Sequence, residues 1–119
     1  MTNKITGLDF VGVPSQDSDR SIKFYTETLG LRVDDKAKYE FWVGDTCFAI
    51  WEPAKLGMPF TAQKNAHIAL NVENIEEARK ELEDKGIVFR GETINNRDIC
   101  FMALFTDPDG NDLMLHQRA

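Results

Sequence analysis

Histidine is the residue type in this sequence best suited to chemistry, and the chain has two of them, His67 and His116. A histidine near its unperturbed pKa of ~6.5 can act as a general base or exchange a hydrogen bond with a ligand. His67 fits both roles. It also fits a histidine that a neighbouring backbone or side-chain group holds without any further function, and the sequence leaves these alternatives open.

A metal site built from His67, His116 and Glu52 is a second hypothesis. Strand alternation places Glu52 on the same side as Phe48 and Ile50, and His116 on the same side as Met114, so each can point toward a shared surface. Imidazole and carboxylate groups are ordinary metal ligands. The alternative is that Glu52 caps the end of a strand and that His116 is an exposed or hydrogen-bonded histidine.

The two cysteines offer no metal or redox motif. Cys47 and Cys100 lie far apart in the sequence, and neither has a second Cys or a His at the spacing of a zinc or thioredoxin-like site. We expect two reduced, buried thiols, which is the common state of free cysteine.

The elements that must position these groups follow from periodicity and turn residues. Asp17 or Ser18 can begin a helix that Gly30 ends, and Pro14 closes the first strand. Gly44-Asp45 forms a tight turn between two strands. The first half of the chain therefore predicts strands at Leu8–Val13, Leu31–Asp35, Tyr39–Val43 and Thr46–Glu52, and a linker at Pro53–Lys64.

The second half repeats this order. Asn74 caps a helix that ends at Gly86, and Glu77 stands in the capping-box position. The predicted strands are His67–Val72, Ile87–Arg90, Ile99–Phe105 and Asp112–Gln117. The two halves align at an offset of 57 residues. We therefore predict an α+β single domain, residues 1–119, in which two βαβββ modules (5–52 and 65–117, with linker 53–64) form one curved mixed sheet around a concave cup, with helices outside.

Aromatic residues dominate the predicted strands. Alternation sends about half of them toward the cup and half under the helices. Phe10, Trp42 and Met114 are the residues we expect in the cup, where they would favour a flat apolar ligand. For any one ring, an ordinary place in the core is an equal alternative. The strand aromatics are Phe10, Tyr39, Phe41, Trp42, Phe48, Trp51, Phe101 and Phe105.

Composition restricts the class of partner. Fourteen Lys and Arg residues against 20 Asp and Glu give a net charge of −6, and no basic cluster offers phosphate neutralisation. Nucleic acid and membrane surfaces are therefore poor partners. No apolar run approaches the ~20 residues of a membrane-spanning helix, and Asp9 and Pro14 interrupt the N-terminal stretch. We expect a cytoplasmic protein.

Several of these segments together resemble the vicinal oxygen chelate superfamily. That superfamily includes glyoxalases, extradiol dioxygenases, fosfomycin-resistance enzymes and bleomycin-binding resistance proteins. The resemblance covers nearly the whole chain. It rests on Leu8–Val13, Asp17, Phe24-Tyr25, Leu29-Gly30-Leu31, His67-Ile68-Ala69-Leu70, Gly86 and Asp107-Pro108-Asp109-Gly110-Asn111.

The resemblance implies a set of metal-ligand positions that this sequence has largely lost. Enzymes of the superfamily hold a divalent metal with His, Gln or Glu side chains on the first and fourth strands of each module. Here the matching positions fall on Phe10, His67, Met114 and, in the first module, Phe48 or Ile50. His67 alone keeps a metal-binding side chain.

The resemblance therefore implies a protein closest in character to the metal-free, bleomycin-resistance-like branch. We expect it to sequester an aromatic or antibiotic-like small molecule in an apolar cup, without a cofactor, and to form a homodimer. The alternative is a metal-dependent lyase or dioxygenase with a displaced site. The expected ligand-binding residues are His67, Phe10, Met114, Trp42, Phe48, Glu52 and His116.

Overall fold

The computed structural model describes residues 4–119, so the first three residues of the N-terminal stretch lie outside the described part. A π-helical turn, Phe24–Thr28, continues the first helix, and a short 3-10 turn, Pro53–Leu56, opens the linker. The remaining elements are β1 (Val11–Pro14), α1 (Ser18–Lys23), β2 (Arg32–Val33), β3 (Glu40–Val43), β4 (Thr46–Trp51), β5 (Ile68–Asn71), α2 (Ile75–Asp84), β6 (Ile94–Asn96), β7 (Cys100–Thr106) and β8 (Asp112–Arg118).

The predicted helix starts are confirmed. The Asp17 carboxylate accepts the backbone N–H of Arg20 at 3.1 Å, and the Asn74 side chain accepts the N–H of Glu77 at 3.1 Å. Each bond satisfies one of the N–H groups that a helix leaves unpaired in its first turn. Gly30 follows the first helix at φ 74°, a left-handed conformation that glycine adopts without steric cost.

Each module forms a four-stranded mixed sheet with the same topology. The strand orders are β1-β4-β3-β2 and β5-β8-β7-β6, with the first pair parallel and the others antiparallel. In the parallel pairs, Gly12 pairs with Ala49 and Ala69 pairs with Met114, so the first strands of the two modules keep the predicted 57-residue offset. The α+β class and the two βαβββ modules are confirmed. Strand pairing stays within each module, so the strands form two sheets of four.

The strand predicted at Ile87–Arg90 is wrong. This segment makes one ladder-like bond, from Arg90 N–H to the Leu104 carbonyl, and the outer strand is β6 (Ile94–Asn96) instead. Phe89 alone in the segment is buried, whereas Val88 is 86% exposed. The β-branched run predicted a strand that the turn at Gly91 displaces by a few residues.

A buried hydrogen-bond network joins the two modules. Tyr25 donates to the Asp107 carboxylate, and Ser15 and Arg20 both donate to Asp109, at 2.7 and 2.8 Å. The Asn111 amide reaches back to the Pro14 carbonyl at 2.9 Å. The turn at 107–111, which belongs to the second module, therefore anchors the start of the first helix.

The chain is more extended than a compact domain of its size. Its radius of gyration is 15.5 Å, against about 13.5 Å expected for 119 residues. Each sheet packs its helix on one face, and the opposite faces retain partly exposed apolar side chains. None of the helices in residues 4–119 is long and apolar enough to cross a bilayer. Cys47 and Cys100 are both buried and unpaired by a disulfide, as predicted.

Candidate functional site

Strand alternation divides each sheet into a helix-covered face and an open face. The helix-covered faces hold the core, including Val13, Phe41 and Ile50 in the first module and Leu113 and Leu115 in the second. The neighbouring positions of the same strands form the open faces. The first open face contains Gly12, Glu40, Trp42, Cys47, Ala49 and Trp51; the second contains Ala69, Asn71, Met102, Leu104, Asp112, Met114 and His116.

An indole ring covers the middle of the first open face. A Cβ atom built on Gly12 would lie 3.2 Å from Trp51 Nε1, so the Trp51 ring lies over the bare glycine backbone. Gly12 is paired with Ala49, another small residue. The two small residues leave this surface flat beside the ring. Such a surface suits stacking of a planar ligand.

The second indole of this face, that of Trp42, makes a hydrogen bond and a cation–π contact. Trp42 Nε1 donates to the Asp34 carboxylate at 2.9 Å, and the Arg32 guanidinium lies 5.4 Å from the ring centroid in cation–π geometry. The N–H of Ala37, with further bonds from Trp42 and Lys36, lowers the pKa of Asp34 to about 2. Asp34 is therefore ionised at neutral pH and fixes the orientation of the Trp42 ring.

The second open face is apolar at its centre. Met114 lies between Ala69 on β5 and Leu104 on β7 in the strand register. Two residues along β8, His116 stands between Asn71 and Met102. All are half-buried or exposed, so this surface combines adaptable thioether and aliphatic groups with one imidazole.

His67 lies at the end of this face, beside a buried carboxylate. It directly precedes β5, and its Nε2 is 3.9 Å from Oδ2 of Asp112. Asp112 also accepts the N–H of Asn65 at 2.8 Å and the Lys64 ammonium at 3.4 Å. The Asn65 N–H, assisted by Lys64 and His67, lowers the pKa of Asp112 despite its burial. Asp112 is thus an ionised partner for the His67 side chain.

The structure separates the predicted site residues into two groups. Met114, His116 and Trp42 lie on the open faces, and His67 borders one of them. Phe10 precedes β1 and is 52% exposed. Phe48 lies on the helix-covered face, with its ring 5.3 Å from that of Phe41, so it is not available on the open face.

Glu52 also lies away from the open faces. Its carboxylate accepts the backbone N–H of Ser18, the first residue of α1, at 3.0 Å, and Lys55 is 3.5 Å away. Hydrogen bonds from Ser18 lower the pKa of Glu52. This anion at the helix N-terminus is stabilised by the unpaired N–H groups there. The structure therefore does not bring Glu52 to His67 and His116.

A one-residue difference in register explains the positions of Phe48 and Glu52. Met114 pairs with Ala69, and the residue that pairs with the equivalent Gly12 is Ala49, not Phe48 or Ile50. A shift of one residue moves every side chain to the other face of a strand. The 57-residue offset makes Gly12 equivalent to Ala69, and the parallel β1–β4 pairing seen in the structure then identifies Ala49. The list of expected ligand-binding residues also omitted Trp51 and Asp112, which the strand register places on the open faces.

The residues present do not fit the divalent metal that the superfamily resemblance implies. Phe10, Ala49 and Met114 bring no nitrogen or oxygen ligand to the matching positions, and His67 alone does. Within residues 4–119, no group of three or more His, Cys, Asp or Glu side chains converges as a metal site. Catalytic zinc sites usually have three protein ligands.

Comparison with known proteins identifies the family of this fold. The family model described as the glyoxalase/bleomycin resistance protein/dioxygenase superfamily matches residues 7–115. A solved protein from Bacillus anthracis, assigned to the glyoxalase family, is 26% identical over 100% of both chains, with a TM-score of 0.78. No curated protein has significant sequence similarity to the chain.

More distant solved structures share the fold. A superfamily member from Sphaerobacter thermophilus is 22% identical, with coverage of 96% of this chain and 98% of that chain and a TM-score of 0.76. Lactoylglutathione lyase from Agrobacterium tumefaciens is 15% identical, with coverage of 97% and 96% and a TM-score of 0.76. With the family match spanning most of its length, this chain belongs to the glyoxalase/bleomycin resistance protein/dioxygenase superfamily.

Proposed function

We propose that this protein is a metal-free small-molecule binding protein of the glyoxalase/bleomycin-resistance type that sequesters an aromatic or antibiotic-like ligand in the cytoplasm. One observation carries the proposal: the equivalent parallel pairs are Gly12 with Ala49 and Ala69 with Met114, so the positions that the superfamily resemblance implies for metal ligands hold Phe10, Ala49 and Met114 beside His67. A ligand of this protein is therefore held by shape and apolar contact, not by a Lewis acid.

The two open faces supply the contacts that such a ligand needs. Trp42 and Trp51 offer indole faces, and Met114 lies in an apolar row with Ala69 and Leu104. Burial of one apolar side chain against a ligand is worth ~1.5–3 kcal/mol by area. An imidazole from His67 or His116 adds a directional hydrogen bond.

A second copy of the chain completes the cup in this proposal. The two sheets share no hydrogen-bonded strand pair within residues 4–119, and the chain is expanded relative to a compact domain. Exposed apolar residues at the N-terminal segment, Leu8 at 74% and Phe10 at 52%, lie next to the edge strand β1. Burial of these side chains and of the open faces favours a two-fold homodimer. Light scattering at micromolar concentration should give the dimer mass, and the monomer mass alone would contradict it.

The metal content of the purified protein tests the proposal directly. We expect sub-stoichiometric metal by plasma mass spectrometry, and no change in melting temperature with Mn²⁺, Fe²⁺, Co²⁺, Ni²⁺ or Zn²⁺. A metal that binds the native state must raise the melting temperature. About one metal per chain, with a stabilisation that His67→Ala abolishes, would overturn the proposal in favour of a metal-dependent lyase or dioxygenase.

Ligand capture is tested with N-phenyl-1-naphthylamine, an uncharged aromatic dye that fluoresces in apolar sites. We expect saturable binding that Met114→Ala weakens several-fold, because the substitution removes the thioether from the centre of the second open face. Leu56→Ala is the matched control, since Leu56 is 70% exposed and lies in the 3-10 turn Pro53–Leu56, outside the strands of both open faces. Equal binding by the two variants would contradict the placement of the ligand.

Restoring metal ligands tests the register independently. Phe10→His combined with Met114→Glu adds two donors at the positions that correspond to His67 and to the lost carboxylate. We expect Ni²⁺ or Mn²⁺ to raise the melting temperature of this double variant but not that of the same variant with His67→Ala. Failure of the double variant to bind metal would count against the proposed correspondence of positions, not against superfamily membership.

A further inference from the structure

Basic side chains collect at the end of the second open face, in a protein whose net charge is −6. Three of them approach one carboxylate, that of Asp112: Lys64 Nζ at 3.4 Å, Arg90 Nη2 at 3.6 Å and His67 Nε2 at 3.9 Å. The Asp112 side chain is 3% exposed, whereas those of Lys64 and Arg90 are 52% and 62% exposed. The cations therefore present their remaining N–H groups to solvent.

Arg90 reaches this cluster from beside β7, whereas His67 reaches it from the start of β5 at the other edge of the sheet. Its N–H binds the Leu104 carbonyl on β7 at 2.7 Å, while Asp112 lies on β8, the next strand. Phe89 before it is buried in the core, whereas the Arg90 side chain reaches the open face, where its Nη2 lies 3.6 Å from Oδ1 of Asp112. The guanidinium thus lies across the strand that carries Leu104, next to the apolar row that contains Met114.

The charges in this cluster do not balance. Lys64 and Arg90 carry two permanent positive charges, and Asp112 supplies one negative charge, which leaves a surplus of one before any protonation of His67. The Arg90 guanidinium makes no hydrogen bond with residues 4–119, so its planar set of donors is free for a second acceptor. A carboxylate or phosphate group is the acceptor whose geometry and charge match that set.

We propose that Arg90 and Lys64 form a subsite for the anionic group of the ligand, a carboxylate or a phosphate, while its aromatic part lies on the adjoining apolar row. This inference rests on the proposed ligand-binding function and narrows the ligand class to an aromatic acid. Asp112 holds both cations in position when the subsite is empty, and His67 completes the end of the row.

The test compares two dyes that differ by one anionic group. 8-Anilinonaphthalene-1-sulfonate has the ring system of N-phenyl-1-naphthylamine plus a sulfonate. We expect the sulfonate dye to bind at least tenfold more tightly than the uncharged dye. Arg90→Gln should remove most of the difference in affinity between the two dyes and change the affinity for the uncharged dye less than twofold. Lys64→Gln is the second variant, with the same expected result. Lys80→Gln, which removes the same charge from the exposed side of α2, should change neither dye's affinity.

Competition experiments then show which class of anion the subsite prefers. Benzoate and phenyl phosphate displace the sulfonate dye in separate titrations, and the tighter competitor distinguishes carboxylate from phosphate. The proposal is supported if either compound displaces the dye from the original protein and Arg90→Gln weakens that displacement, and it is overturned if Arg90→Gln leaves the displacement by both compounds unchanged.

Two outcomes separate failure here from failure of the proposed function. Equal affinity for both dyes, unchanged in Arg90→Gln, overturns the anion subsite and leaves the apolar binding function intact. If neither dye binds, the apolar function fails, and inorganic phosphate decides this proposal by NMR. Phosphate-induced shifts at the Arg90 and Lys64 amides that Arg90→Gln abolishes would support the subsite, and their absence would overturn it.

Discussion

Replacement of Tyr25 by Phe tests the network that joins the modules. Tyr25 is 1% exposed, and its hydroxyl donates to Asp107, a buried residue 82 positions further along the chain. Burial, followed by the charge of Asp107, raises the pKa of Tyr25, so the phenol stays a neutral donor at working pH. The substitution removes this donor and retains the ring, which stacks on Phe41 with centroids 4.4 Å apart.

The magnitude follows from the acceptor. Hydrogen bonds to charged groups contribute ~1.5–3 kcal/mol. Asp107 keeps other donors, namely the N–H of Asp109 at 2.9 Å and both the N–H and the side-chain amide of Asn111, so we expect a loss of about 2 kcal/mol. With an unfolding entropy of about 2.1 cal/mol/K per residue, the melting temperature should fall by roughly 8 °C.

Chemical and thermal unfolding followed by circular dichroism provide the assay. Both variants are measured at one fixed protein concentration, because the homodimer proposed above would make the apparent stability depend on concentration. Tyr39→Phe is the matched control. Its hydroxyl donates at 2.8 Å to Asp19, which is exposed, so its loss should destabilise the protein far less than the loss of the Tyr25 hydroxyl. The reasoning would be refuted if Tyr25→Phe were as stable as the original protein, or if both variants lost the same amount.

Three further predictions concern the first open face. The pKa of Asp34 is lowered to about 2, so the stabilising contribution of its carboxylate is complete above the unfolded range near pH 4 and is lost as the pH falls through about 2. The Trp42 indole N–H resonance should titrate with that midpoint, and Asp34→Asn should abolish the transition. Gly12→Ala should displace the Trp51 ring, which a Cβ would meet at 3.2 Å, and shift the Trp51 emission maximum while leaving secondary structure unchanged. Burial raises the pKa of the Cys47 thiol, so Ellman's reagent should react with it slowly in the folded protein and at once in guanidinium chloride.

Local signals in the sequence predicted the elements well because local interactions form them. Asp17 and Asn74 cap helices through bonds to residues three positions away, and Gly30 and Gly86 take positive φ angles where the helices end. The repeated order of elements gave the two modules. These features depend on a few consecutive residues, so no knowledge of the tertiary structure was needed.

The edge of the second sheet depended on contacts that local signals do not encode. Ile94–Asn96 forms β6 although it contains two asparagines, which have low strand propensity. Cross-strand pairing with Met102, Phe101 and Cys100 stabilises this strand in place of the more apolar Ile87–Arg90 segment. Tertiary pairing therefore overrides propensity at this edge, and with it determines that Arg90 extends across the open face.

The sequence prediction assigned one site position wrongly because it placed β4 one residue out of register. Counting from Phe48 or Ile50 assigned the first-module position to a core residue, whereas the parallel pairing of Gly12 assigns it to Ala49. The correction strengthens the functional argument, because Ala49 adds a small apolar surface at the place where the superfamily resemblance implies a His, Gln or Glu ligand. Of the positions that correspond to metal ligands, only His67 keeps a donor, and its nearest charged partner is Asp112, not a second metal ligand. The same fold that supports metal chemistry in superfamily enzymes here supports a surface of indole, thioether and small side chains, bordered by cations.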